Sequence, residues 1–317
     1  MPPDHRVRRT VRTVQRTQRP TVAQLVRPGP DRLTTIKGDV TRLDLPHGCF
    51  NAGIVEYYYG GYICVYRPDE HSFRAMLLDE NYKPTSTPID LGITNCADPR
   101  LIWTGDGLLM VYSSYDTGSF KTECIRGAII MEKDKFVRPK PFRISEPSTA
   151  RQKNWMPFMH NGKVHLVASV RPHTVYEMPA IGYVARMVAE TEWDSPWFST
   201  EFMRGNTNIV PLDENTMFGT FHTVQKHGRM HYYDNGCYTF ENKPPFRVLR
   251  CATRTYLPAE AAVEPHFRKK DEIRVCFSVG MVRDGEQLLI SYGDNDSAVK
   301  IMRTTVTEML ATTLEVY

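Results

Sequence analysis

From about residue 40 onward, short apolar runs alternate with polar turns, and Tyr, Val, Ile, Phe and Thr dominate the runs. Stretches with helical periodicity are scarce; 258–263 and 305–311 are the two that qualify. This pattern predicts an all-β chain. One unit recurs: a strand reaches a polar turn, and a second apolar strand follows and ends on an aromatic or polar residue. The unit spans Ile54–Arg67 around Gly60-Gly61, Leu101–Ser114 around Gly105-Asp106-Gly107, and Met156–Pro172 around Asn161-Gly162. It returns over Ile209–Val224 around Asp213-Glu214-Asn215, and over Val279–Asp296 around Asp284-Gly285. Asn-Gly and Asp-Gly are strong hairpin signals, because both central residues of a type I′ turn need positive φ.

The hairpins recur every roughly 45–70 residues, the scale of a four-stranded propeller blade. Five copies point to a five-bladed β-propeller. A pair of β-sandwiches or a long barrel is the competing architecture. The propeller is favoured because the polar cluster after each hairpin differs in chemistry, as expected where strands converge on one shared centre. The expected organisation is a basic N-terminal extension over 1–40, flexible or loosely docked, followed by a catalytic propeller domain over 41–317.

Composition narrows this further. The chain has 317 residues and a formal net charge of +4. Much of the excess lies at the start, where Arg6, Arg8, Arg9, Arg12, Arg16, Arg19, Arg27 and Arg32 face Asp4 and Asp31. A basic arm can touch nucleic acid or membranes, but this one lacks interleaved aromatics and an amphipathic period, so no nucleic-acid partner is expected. No run approaches the roughly 18 apolar residues of a membrane span, and the N-terminus has no apolar segment of a secretory signal. The 7 cysteines form no CxxC pair. They read as free, buried thiols of a reducing, cytoplasmic compartment. Oligomeric state is not encoded in any readable pattern.

Candidate chemistry lies near the ends of the hairpins. Arg67 ends the first, Asp98 and Arg100 precede the second, and Lys153 and Asn154 precede the third, which Arg171 ends. His222 ends the fourth and Asp296 the fifth. Each sits beside an apolar strand, where a charged group needs a partner or a ligand. Lys153, Asn154, Arg171 and His222 together suit a phosphate, Arg offering a planar fork and Lys a point charge. Taken singly, Lys153 or Arg171 also suits a salt-bridged surface and His222 a satisfied core histidine; their shared placement makes the case. No glycine-rich phosphate loop is present. Metal chemistry has little support: there is no HExxH or Cys/His ligand spacing. Asp294-Asn295-Asp296 lacks the downstream glutamate of a calcium loop. No Gly-x-Ser-x-Gly elbow is present. Neither a metal nor another cofactor is expected.

The same residues resemble a known family. Asn51-Ala52-Gly53 with Val65-Tyr66-Arg67, Ala97-Asp98-Pro99-Arg100, Lys153-Asn154 and Arg171-Pro172 follow in order. Phe221-His222, Tyr233 with Gly236, Phe277 with Gly280, and Tyr292-Gly293-Asp294-Asn295-Asp296 complete the set. This series is similar to the β-mannoside phosphorylases of glycoside hydrolase family 130 and to the related protist β-1,2-mannosyltransferase/phosphorylases of glycosyltransferase family 108. The resemblance covers most of 50–303. It implies a five-bladed propeller with an axial site and an inverting transfer of mannose between β-1,2-oligomannosides and phosphate. Mannose 1-phosphate or GDP-mannose would be the donor. It further implies Asp98 as general acid/base, Lys153, Asn154, Arg171 and His222 as phosphate ligands, and Asn51, Arg67, Tyr233 and Asp296 as sugar ligands. Ala97, Trp155-Met156-Pro157-Phe158 and Arg204-Gly205-Asn206-Thr207 depart from the bacterial pattern. Two other functions stay open at this point: a hydrolase of mannosides or arabinofuranosides, and a non-catalytic propeller scaffold.

Overall fold

A computed structural model describes residues 38–115, 123–146, 152–195, 203–227, 230–266 and 273–316. The N-terminal extension expected over 1–40 lies almost wholly outside these residues. Of the described residues, 60% lie in strands and 3% in helices. β1 (Asp39–Arg42) is followed by a first antiparallel meander of β2 (Phe50–Glu56), β3 (Tyr62–Arg67), β4 (Ser72–Leu78) and β5 (Ile89–Thr94). The second meander holds β6 (Cys96–Thr104), β7 (Gly107–Tyr115), β8 (Glu123–Glu132), β9 (Lys135–Phe136) and β10 (Phe142–Arg143). The third is β11 (Met156–His160), β12 (Lys163–Ser169), β13 (His173–Met178) and β14 (Arg186–Thr191).

The remaining strands form one ten-stranded sheet. Its first part is β15 (Arg204–Gly205), β16 (Val210–Pro211), β17 (Thr216–His227), β18 (Met230–Glu241) and β19 (Val248–Ala252). Its second part is β20 (Ile273–Asp284), β21 (Gln287–Asp294) and β22 (Ala298–Thr305). A short parallel pairing, Tyr233 opposite Val275, joins β18 to β20. α1 (Val306–Leu310) leads to β23 (Thr313–Glu315), which pairs with β19. β1 pairs with β22, Asp39 opposite Arg303, so a strand from before the first meander forms the edge of the last.

Local sequence explains the turns. All five expected hairpins are present, β2–β3, β6–β7, β11–β12, β16–β17 and β20–β21. Asn161 and Gly162 both have positive φ, 49° and 72°, as a type I′ turn requires. The two expected helical stretches are short: a 3₁₀ turn at Ala259–Ala261 and α1, whose Thr305 and Glu308 form a capping box.

The core lies between meanders. Ile63, Val65 and Phe73 of the first pack with Leu101, Leu108, Met110 and Tyr112 of the second. Ile102, Leu109 and Val111 of the second pack with Val164, Leu166 and Met178 of the third. Ile54, Cys64 and Met76 of the first meet Leu289, Val299 and Ile301 of the last. Each such buried side chain contributes on the order of 1.5–3 kcal/mol. All seven cysteines are free and buried. No helix among the described residues is long and apolar enough to cross a membrane.

The first strands of the meanders run close together. β2 lies against β6 and β20, and β6 against β11. Glycine permits this approach: a Cβ on Gly53 would meet the Pro99 carbonyl, and one on Gly205 would lie 2.6 Å from the Asn154 carbonyl.

Candidate active site

The expected site residues collect where these first strands begin. Asn51 is the second residue of β2, Asp98 lies at the start of β6, Asn154 stands just before β11, and Asp296 lies in the turn after β21. All four have positive φ: 47°, 57°, 62° and 50°. Asn and Asp tolerate this left-handed region better than other non-glycine residues. At Asn51 and Asp98 the conformation belongs to a β-bulge: the strand register shifts between Phe50 and Gly53, and again between Ala97 and Arg100. A bulge re-aims a side chain out of the regular up-down alternation.

Asp98 is 8% exposed. Its Oδ1 accepts a hydrogen bond from Asn51 Nδ2 at 3.0 Å and faces Arg67 Nη1 at 3.5 Å. Arg67 is itself fixed, donating to the Glu70 carbonyl at 2.7 Å and lying over the Phe50 ring at 4.5 Å. Both partners engage the same carboxylate oxygen, which leaves Oδ2 for other chemistry. Asn51 Oδ1 and Arg67 Nε are buried and unpaired. Buried polar atoms of this kind are rare unless a ligand completes them.

Arg100, 1% exposed, links this group to the next. It donates to the Asp98 carbonyl at 2.9 Å, to Asn154 Oδ1 at 3.4 Å and to the Asn206 carbonyl. It thus ties β6 to the segments just before β11 and just after β15. Burial lowers its pKa to about 10, so it is still a cation at neutral pH. Asn154 accepts through Oδ1 and so keeps its amide N–H groups for another partner.

His222, 1% exposed, pairs in register with Arg204 across β15 and β17. Its Nδ1 lies 2.6 Å from Asn206 Oδ1, and its ring stacks on Tyr233 at 4.9 Å and meets the edge of Phe277 at 5.1 Å. Burial depresses its pKa well below the usual histidine value, and the positive charges of Lys153, Arg204 and Arg100 depress it further. A buried neutral imidazole beside three cations is therefore the resting arrangement, and an anion is the ligand that such a field attracts.

The structure brings together Asn51, Arg67 and Asp98; separately, Asn154 bonds Arg100, and His222 stacks on Tyr233 and feels the charges of Lys153 and Arg100. Arg171 is placed differently. Its Nε donates to the Trp193 carbonyl at 2.8 Å and its Nη2 pairs with Asp194 at 3.0 Å. Among the described residues, no hydrogen bond or ion pair joins it to the other expected phosphate ligands. Asp296 faces His266 at 3.7 Å. The neighbouring Asp294 is structural: it holds Lys300 at 2.6 Å and the backbone N–H groups of Val263 and Glu264.

Sequence reasoning assigned no role to Arg204, Asn206 or Asn235. The one signal for the first two was the unusual Arg204-Gly205-Asn206-Thr207 run. Asn235, in the middle of a long strand, carried none. Among the described residues no group of three or more His, Cys, Asp or Glu could hold a metal ion.

A family profile described as beta-1,4-mannooligosaccharide phosphorylase, of glycoside hydrolase family 130, matches residues 26–315. No curated protein matches the sequence. Among solved structures, the β-1,2-mannobiose phosphorylase of Listeria innocua is similar at 14% identity and a TM-score of 0.61, covering 89% of this chain and 95% of its own. The GDP-Man-dependent mannosyltransferase MPT-1 of Leishmania mexicana gives 12% identity and a TM-score of 0.58, over 86% of this chain and 91% of its own. An α-L-arabinofuranosidase of Lactobacillus brevis gives 13% identity and a TM-score of 0.56, over 83% and 93%. At these identities the likeness is one of fold.

Proposed function

Because the chain belongs to glycoside hydrolase family 130, a family of enzymes acting on mannosides, we propose that it is an inverting β-mannoside phosphorylase or β-1,2-mannosyltransferase. The three meanders and the two parts of the ten-stranded sheet are read as the blades of a five-bladed propeller, with the site at the end of the axis where their first strands begin. The substrates are a β-1,2-oligomannoside and phosphate, or a sugar phosphate in the reverse direction. GDP-mannose is the other candidate donor.

One observation carries this reading: Arg100 bonds the main-chain carbonyl of Asp98 and the side chain of Asn154, and the positive charges of Lys153, Arg204 and Arg100 all act on the buried His222. An inverting glycosidase needs two carboxylates, one of them to activate water. A bound phosphate removes the need for the second, and cations are what would hold it. In phosphorolysis, phosphate held by Lys153, Asn154, Arg171 and His222, with Arg204 beside them, attacks the anomeric carbon. The glycosidic C–O bond breaks on the opposite face, and Asp98 delivers a proton to the leaving oxygen, directly or through a sugar hydroxyl. In synthesis the same Asp98 takes the proton from the acceptor hydroxyl. Asn51 and Arg67 hold Oδ1 of Asp98, so Oδ2 is the oxygen that handles the proton. Asn51, Arg67 and Asp296 are read as the groups that orient the mannose, and Tyr233 as its stacking face.

The hydrolytic alternative has one observation in its favour, the commitment of Arg171 to Trp193 and Asp194. The two readings separate in one assay. Incubation with β-1,2-mannobiose should release mannose 1-phosphate only when phosphate is added. Equal release of free mannose without phosphate would establish the hydrolase and sink the phosphorylase.

A further inference from the structure

The hydrogen bonds behind His222 fix which of its nitrogens carries the proton. Asn235 Nδ2 lies 2.9 Å from the Leu257 carbonyl and 2.8 Å from the Cys276 carbonyl. Carbonyls only accept, so this atom is the amide nitrogen and Oδ1 of Asn235 is an acceptor. Asn206 Nδ2, 2.9 Å from that oxygen, is therefore the donor. Asn206 then presents its own Oδ1, an acceptor, to His222 Nδ1 at 2.6 Å. The proton sits on Nδ1. A neutral imidazole has one N–H, so Nε2 carries a bare lone pair. The ring cannot easily turn over to exchange the two nitrogens, because Tyr233 stacks on it at an interplanar angle of 11° and Phe277 closes its edge at 86°. Among the described residues Nε2 has no hydrogen-bond partner.

The pocket thus combines cations, Lys153, Arg204 and Arg100, with an acceptor that wants a proton. A ligand that satisfies both must be an anion that also carries an O–H. We propose that Nε2 of His222 accepts a hydrogen bond from the P–OH of a singly protonated phosphate, and that Asn206 and Asn235 are positioning residues that hold it in this tautomer. The consequence is selectivity. Hydrogen phosphate has the charge and the proton; sulfate has the same charge and shape but no proton. A sugar 1-phosphate monoester has a protonatable oxygen, whereas the phosphates of a nucleotide diphosphate sugar are doubly esterified and have none at neutral pH. The inference rests on the phosphorylase reading above and narrows its donor to the monophosphate.

The proton bookkeeping closes. An ionised oxygen of the hydrogen phosphate dianion forms the new bond to the anomeric carbon as the glycosidic C–O bond breaks. Asp98 gives its proton to the departing sugar oxygen and becomes an anion. The product is a monoester monoanion that still carries its P–OH proton at His222. In reverse the phosphate leaves as hydrogen phosphate, a far better leaving group than the trianion.

Three measurements on the whole chain test this. In the ¹⁵N spectrum of the histidine rings, the resonance assigned to His222 by its absence in His222→Gln should show a protonated Nδ1 and an unprotonated Nε2; the opposite tautomer or an imidazolium overturns the proposal. Calorimetric titration should find sodium phosphate binding at least about tenfold tighter than sodium sulfate, since a buried acceptor left unpaired penalises the ligand that lacks the donor. Asn206→Asp, which favours a doubly protonated ring, should bring the two affinities together. Equal affinities in the unaltered protein, alongside phosphate-dependent release of mannose 1-phosphate, would overturn this inference and leave the phosphorylase standing. Product release without phosphate would overturn both.

Discussion

Asn51 and Asp98 hold the same position in successive meanders, both in a left-handed bulge, and the amide of the first donates to the carboxylate of the second at 3.0 Å. The hydrogen bond crosses from one sheet to the next. The carboxylate is thus oriented by a neighbouring sheet and by Arg67, and its geometry depends on how two sheets meet.

Asp98→Asn should lower kcat by at least about 10³-fold, since it removes the proton-transfer group while keeping the shape. The thermal midpoint should stay within a few degrees of the parent. A turnover near the parent value would remove Asp98 from the mechanism.

The phosphate ligands should not be equivalent. Lys153→Ala and Arg204→Ala should each raise the KM for phosphate by roughly tenfold, the weight of one charge-assisted hydrogen bond. Arg171→Ala should raise it less, because its guanidinium is already paired with Asp194 at 3.0 Å. Initial-rate kinetics against phosphate decide the order, and a larger effect at Arg171 would mean that the ion pair opens on binding.

Arg100→Met should destabilise the fold by about 3 kcal/mol, as for the loss of one member of a buried polar network. It leaves the Asp98 and Asn206 carbonyls without their donor. Gly205→Ala should cost about 1–3 kcal/mol through the clash with the Asn154 carbonyl. Urea titration measures both.

Acid should destabilise the protein through its buried histidines. Burial lowers the pKa of His173 from 6.5 to about 4, its Nδ1 donating to the Phe246 carbonyl at 2.8 Å, and His222 is depressed as well. Each is neutral when folded and takes up a proton more readily when unfolded. Their contribution is therefore complete above about pH 6.5 and is lost as pH falls toward the folded values. The urea midpoint should drop between neutral pH and pH 5, and His173→Asn should flatten part of that slope. A midpoint independent of pH over this range would contradict the burial of both rings in the neutral form.

The strands and turns were readable because they are local. Asn161-Gly162 and Asp284-Gly285 specify hairpins from two residues each, and the alternation around them sets the strands. The candidate carboxylate was readable for a different reason, its place in the Asp98-Pro99-Arg100 triplet. What escaped was the neutral scaffold. Asn206, just past the end of β15, and Asn235, within β18, are plain amides, and nothing in their neighbours announces a chain of hydrogen bonds that spans 206, 222, 235, 257 and 276. The pairing of Arg171 with Asp194 was equally hidden, since the partner comes from the far end of the third meander. The positive φ at Asn51, Asp98, Asn154 and Asp296 left a trace that can be sought elsewhere: an Asn or Asp beside the first strand of each repeat.

The pairing of β1 with β22 has a kinetic consequence. Asp39 must find Arg303 across almost the whole described chain. Closing so long a loop carries an entropic cost that local hairpins do not. The meanders can form in order as the polypeptide emerges, but β1, made first, must wait for β22, made near the end. Completion of the edge therefore waits for nearly the whole chain, whereas the contact of Asn51 and Arg67 with Asp98 needs only the first two meanders.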